Sequence, residues 1–159
     1  MKFSDVIGQE EAKNRLRDLV KEHRIPNTLM LCGPAGSGKM ALALAFASYL
    51  LGERDGETSL LSDPRAMLAK WEHPDLHFTF PVIKPTGTSP DHKMSSDDFI
   101  SRWNAMLLKS PYFTMDSWLA AMEAANQQAI IGAGESDELI KKLSLKSSQG
   151  GYKVSIIWL

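Results

Sequence analysis

The chain has 159 residues, of which 43% are hydrophobic and 23% charged, and a formal net charge of −1. That profile fits one soluble globular domain around a single sheet and gives no reason to expect a nucleic-acid-binding or membrane surface. The one cysteine, Cys32, excludes an internal disulfide. With no apolar signal-peptide core near Met1 and no apolar run near the length of a membrane span, it points to a cytoplasmic protein.

In chain order, Phe3, Val6 and Ile7 form an apolar lead-in that turns at Gly8 and is expected to pack. The spacing of Ala12, Leu16, Leu19 and Val20 predicts a helix from Glu10 to about His23, with Glu11 set to pair with Arg15 one turn on. Ile25-Pro26-Asn27 ends it. Thr28 to Cys32 reads as a short buried strand, with Cys32 as a buried small side chain, followed by Gly33-Pro34-Ala35-Gly36-Ser37-Gly38-Lys39-Met40. Gly33, Gly38 and Lys39 satisfy the G-x-x-x-x-G-K core of a phosphate-binding loop, in the required context of strand before and helix after. Three glycines permit positive φ and close approach of backbone N–H groups to an anion, the helix N-terminus adds its donors, and the Lys39 ammonium reaches the outer phosphates. Met40 stands where the motif needs a Ser or Thr hydroxyl for magnesium, and a thioether is a poor ligand for a hard cation. The loop therefore predicts binding of ATP or ADP, with magnesium weak or absent and no catalytic residue. The helix after it, Lys39 to Leu51, is apolar nearly all round and should be buried.

A polar loop follows Gly52, then a short helix from Pro64 to Trp71, and a second strand over Leu76 to Val82. His73 and His77 are four apart, but Pro74 between them argues against a shared helical face and no cysteine is near, so no zinc site is expected. Lys84 to Lys93 reads as a loop. Ser95 with Asp98 signals a capped helix carrying Phe99, Ile100, Trp103 and Leu107, and another helix begins after Thr114 with Trp118, Leu119 and Met122 inward. These stripes read as core before partner surface. Gln127 to Ile131 suggests a short extended piece, and Gly132-x-Gly134 lacks the rest of a dinucleotide fingerprint. Ser136 is expected to cap a helix over Asp137 to Leu145, with Leu139, Ile140 and Leu143 facing the core. Tyr152 to Leu159 reads as a third, central parallel strand. The fold class is α/β, a P-loop three-layer sandwich with a parallel sheet.

Four separated blocks now carry a resemblance: Phe3 to Glu10, Arg24 to Pro34, His73-Pro74-Asp75, and the basic helix leading to Gly151-Tyr152-Lys153-Val154. In order and spacing they resemble the N-terminal AAA+ domain of bacterial clamp-loader subunits, and most of all the delta-prime type of DNA polymerase III. The resemblance implies an AAA+ fragment truncated after the third strand, with a helical insertion at about 87–128. It implies a stator that assembles with other clamp-loader subunits and, through them, acts on the sliding clamp and primed DNA, within a nucleotidyltransferase holoenzyme but without catalysis of its own. It places adenine against Val6, Ile7 and Gly8, and phosphates on Gly36, Gly38 and Lys39. The family's usual four-cysteine zinc module has no counterpart here, and the Walker B acid, sensors and arginine finger would fall beyond Leu159. The alternative is a gamma/tau-type ATPase motor of the same machine; a small-molecule kinase finds no support in the segments around Arg54, Arg65 and Arg102. AAA+ strand order resembles 5-1-4-3-2, so without a fourth strand the first and third are expected to pair directly, or copies to self-associate through open edges.

Overall fold

The computed structural model describes residues 1–52, 64–148 and 150–159. A 3-10 turn at Phe3–Asp5 leads to α1, Glu10–Lys21. Helix α2 is Lys39–Leu50, α3 is Pro64–Ala69, and β1 is Leu76–Thr79. A second 3-10 turn at Ser96–Phe99 runs into α4, Ile100–Lys109, followed by α5 at Met115–Ala121, α6 at Ala133–Ser144 and β2 at Val154–Ile157. The two strands pair in parallel, with Leu76 opposite Val154 and Thr79 opposite Ile157. This mixed architecture is that of an α/β P-loop fold of AAA+ type, and the polar loop expected after Gly52 lies outside the described residues.

Helix α2 joins two cores. Ala41, Leu42, Ala45 and Phe46 pack with Phe3, Val6 and Leu16, while Leu44, Ala47 and Leu51 pack with β1 and the helices after it. An apolar circumference needs cover on all sides, and α2 receives it. The second core centres on aromatic rings: Phe80 stacks on Trp103 at 4.1 Å, and Trp118 stands edge-on to both. Trp118 Nε1–H donates to the Pro81 carbonyl at 2.7 Å, which satisfies its polar end inside the core. The tryptophan stripes of α4 and α5 are thus core, and the segment at about 87–128 shares that core with β1.

Local signals explain several boundaries. The Asp98 carboxylate accepts the Ser95 N–H at 2.8 Å, and the Thr114 hydroxyl oxygen accepts the Ser117 N–H, as capping predicts. Glu11 and Arg15 pair at 3.0 Å on the exposed face of α1. In the His73-Pro74-Asp75 turn, the buried Asp75 carboxylate accepts from Ser147 Oγ at 3.0 Å and Ser148 N–H at 2.8 Å, and its carbonyl accepts the Val154 N–H at 2.8 Å. One residue therefore anchors the approach to β2 and helps set the parallel register.

Four expectations are corrected. Among the described residues Thr28 to Cys32 forms no strand ladder and no strand pairs with it; Leu29 and Met30 are 41% and 81% exposed and Cys32 is exposed. The first and third predicted strands do not pair directly, and β2 has β1 as its one partner among the described residues, so it is an edge strand with Ile157 52% exposed. Helix α6 starts at Ala133 with Gly132 at its N-cap, not at Ser136, and it turns Ile140 and Leu143 outward. Its inward contact is polar: the buried Glu135 carboxylate accepts from the N–H and the Oγ of Ser96, and Lys142 Nζ donates to Asp97 at 2.6 Å. Finally, Phe3 and Val6 pack as expected but Ile7 is 78% exposed.

Trp103 is fully buried among Phe78, Phe80, Phe113, Trp118 and Trp158. Replacing it with Ala should cost about 3–5 kcal/mol of unfolding free energy, the range for a large aromatic deleted from a packed core. Urea titration followed by far-UV circular dichroism checks this, and a loss below about 1 kcal/mol would contradict the packing described.

Candidate functional site

Two segments build the site. The first is the turn between Cys32 and α2. Gly36 and Gly38 hold φ of 76° and 81°, so at these two positions the absence of a Cβ is required by the left-handed backbone. Gly33 does not share that conformation; there a Cβ would lie 3.1 Å from Ser37 Oγ, a tight contact that Ser37 would have to relieve by a few tenths of an ångström. Gly38 is the N-cap of α2 and no side chain caps that helix. Its first-turn N–H groups therefore add donor character and partial positive charge at the loop.

Lys39 extends back over the turn, and its Nζ donates to the carbonyls of Gly33 at 2.8 Å and Pro34 at 2.7 Å. The ammonium is thus held at the loop, on acceptors that a phosphate oxygen could replace. Pro34, Ala35 and Gly36 are exposed along its outer side, and Ser37 closes the turn through its N–H to the Pro34 carbonyl at 3.3 Å. Met40 is half-buried and packs against the second core. With no hydroxyl at that position, the turn lacks the usual magnesium ligand of a phosphate-binding loop.

The second segment is the strip Val6-Ile7-Gly8. Gly8 and Gln9 both adopt positive φ, 63° and 61°, which swings the chain from the N-terminal turn into α1. Gln9 Nε2 donates to the Ser37 carbonyl at 2.8 Å and ties this strip to the phosphate loop. Lys13 is 4% exposed; its Nζ donates to the Val6 carbonyl at 2.6 Å and to Glu10 at 2.7 Å. That bond and the Lys13 charge hold the Glu10 carboxyl below its ordinary range. Val6, Ile7 and Gly8 are therefore held beside the loop by the Gln9 bond to Ser37.

Sequence reasoning missed three participants. Lys13 and Gln9 look like ordinary helix-start residues, and their roles follow from contacts across the turn. Tyr112 lies 105 positions after Ile7, yet its hydroxyl accepts the Ile7 N–H at 3.0 Å and its ring covers Gly38. Nothing local in the sequence marks it.

The histidine pair stands apart, at the His73-Pro74-Asp75 turn and on β1. Burial pushes both ring pKa values down, with Lys142 and Lys153 adding to the effect at His77. His73 Nδ1 accepts the Asp75 N–H at 3.1 Å, an internal turn contact. Among the described residues, no group of three or more His, Cys, Asp or Glu is gathered as a metal site, and no helix is long and apolar enough to cross a membrane.

With this geometry in place, comparisons with known proteins are informative. The sequence model of the family described as "DNA polymerase III, delta subunit" matches residues 8–159. The replication factor C small subunit of Methanothermobacter thermautotrophicus is 50% identical over 52 residues, 33% of this chain and 16% of that protein. Replication factor C small subunit 2 of Pyrobaculum islandicum is 43% identical over 58 residues, 36% of this chain and 18% of the relative. The corresponding small subunit of Methanosphaera stadtmanae is 51% identical over 51 residues, covering 32% and 16%. The matched segments span less than a fifth of each of these relatives. No solved structure matches the chain.

If the loop is a phosphate cradle, Lys39→Ala should weaken ADP binding at least tenfold in a calorimetric titration, and the wild-type affinity should change less than threefold when magnesium is removed. Equal affinity in Lys39→Ala would contradict the cradle.

Proposed function

The chain belongs to the DNA polymerase III delta-subunit family, and from that premise we propose that it is a delta-prime-like stator of the replicative clamp loader. It holds the other loader subunits in position while the sliding clamp is opened and set on primed DNA. Its own loop binds ATP or ADP without hydrolysing it. In the cell it works in the cytoplasm, as part of a polymerase holoenzyme whose nucleotidyl transfer occurs on other chains.

The observation that carries this reading is Met40. The lysine and the glycines of the phosphate loop are retained, and the residue that should bring a hydroxyl to magnesium is a thioether packed against the second core. A motor of the gamma/tau type needs that metal to neutralise charge developing between the β- and γ-phosphates. A stator does not. The names of the relatives, small subunits of replication factor C, agree with a place in a multi-subunit replication assembly.

Exposed Leu29, Met30 and Ile157 supply apolar surface on the unpaired 28–32 segment and on the open edge of β2. Partner subunits are the proposed occupants of such surface in the assembled loader. Self-association through the same edges is the competing use, and it would appear as a dimer when the chain is run alone.

The test is reconstitution. Size-exclusion chromatography of the chain with the motor and delta subunits of its own replication system should yield a joint peak, and ATP-dependent clamp loading should appear only when the chain is included. DNA-stimulated ATP hydrolysis by the isolated chain would contradict the stator reading and favour the motor.

A further inference from the structure

Tyr112 enters the site from elsewhere in the fold. It lies between α4 and α5, where Ser110 Oγ accepts the Tyr112 N–H at 3.1 Å and donates to the Tyr112 carbonyl at 3.3 Å. From this braced position its side chain reaches both halves of the site. The hydroxyl accepts the Ile7 N–H at 3.0 Å, and a Cβ built on Gly38 would lie 3.3 Å from its Cε1. Gly38 is buried while residues 32–36 beside it are exposed, so the ring is an effective cover.

The strip beside the loop is already committed in both senses. Its Val6 carbonyl takes the Lys13 ammonium, and its Ile7 N–H takes the tyrosine oxygen. A purine lying on this strip would need such groups for its own ring nitrogens and amino group, since a planar heterocycle gains orientation from a few placed donors and acceptors. Tyr112 supplies what that base would supply there: a flat aromatic ring and an acceptor for the Ile7 N–H. Lys39 meanwhile rests on Gly33 and Pro34, so the phosphate half is satisfied from within as well.

We propose that Tyr112 is an internal occupant of the base half of the nucleotide site, and that ATP or ADP binds only when this side chain withdraws. The proposal rests on the nucleotide-cradle reading given above, with the base against Val6 to Gly8 as the family resemblance implies, and deepens it by naming what regulates access. Tyr112 also borders a cleft of about 290 Å³, lined in part by Met1, Asp5, Leu68 and Pro111, which gives the ring space to move into. When a binding-competent state is populated only in part, the apparent affinity falls by that fraction; a site open about a tenth of the time binds about tenfold more weakly. Movement of the Ser110–Thr114 segment, through the helices on either side of it, would thereby set nucleotide affinity.

Two readouts separate the occupant from the cradle. In calorimetric titration, Tyr112→Ala is expected to bind ADP at least tenfold more tightly than wild type, and Tyr112→Ala combined with Lys39→Ala to lose that gain. Tyr112→Phe keeps the ring and the packing but not the oxygen, so amide hydrogen exchange at Ile7, followed by NMR, should be slow in wild type and clearly faster in this variant. Unchanged ADP affinity in Tyr112→Ala overturns the proposal. Weaker affinity also overturns it, since Tyr112 would then contact the base as part of the site. If Ile7 exchanges equally fast in wild type and Tyr112→Phe, the contact is absent and the proposal falls while the cradle stands. If Ile7 is protected by Tyr112 but no variant binds ADP, the cradle reading fails and takes the proposal with it.

Discussion

The burial of α2 on every side is the constraint from which the site follows. A helix reading Lys39-Met40-Ala41-Leu42-Ala43-Leu44-Ala45-Phe46 has no polar stripe to turn towards water, so it must be enclosed. Enclosure takes two separate clusters, one from the N-terminal turn and α1, the other from β1 and the aromatic helices. Each cluster brings one foreign segment to the helix N-terminus. The first delivers Val6-Ile7-Gly8 and Gln9, and the second delivers Tyr112. The surroundings of the phosphate loop are thus set by the packing along its helix, from Met40 and Ala41 onward.

Met40 links that packing to chemistry. A residue directly after the loop lysine sits in the first turn of α2, where a small hydroxyl could face an anion and its metal. The long, flexible thioether of Met40 packs instead against the second core, of which Leu44 and Trp103 are both members. Apolar contact and loss of a magnesium ligand are one and the same substitution. Lys39 is unaffected because its stem runs the other way, back over Gly33 and Pro34. The loop cation and the side chain at the magnesium position therefore have different surroundings, although they are adjacent in sequence.

What could be read from the sequence was whatever depends on neighbours along the chain. The loop with its lysine, the bounds of α1 and α2, the Ser95 to Asp98 capping signal and the Thr114 cap all rest on contacts a few residues apart. Readings that need a distant partner fared worse. Thr28 to Cys32 has the apolar character of a buried strand, but a strand exists through its ladder, and among the described residues this one has no neighbour to bond. Helix α6 was misjudged because Ile140 and Leu143 suggested an apolar inward face, whereas Glu135 and its bonds to Ser96 decide the orientation. The contact of Tyr112 with the Val6 to Gly8 strip was not legible either, since the tyrosine lies 105 positions after Ile7.

We propose that this loop keeps an anion cradle and lacks a magnesium ligand because of one side chain, Met40. Restoring the hydroxyl with Met40→Thr and titrating ATP with and without magnesium tests it most directly. The account predicts that magnesium leaves the wild-type affinity nearly unchanged and strengthens binding to Met40→Thr at least fivefold. Strong magnesium dependence in the wild type would contradict it, because another group would then be holding the metal.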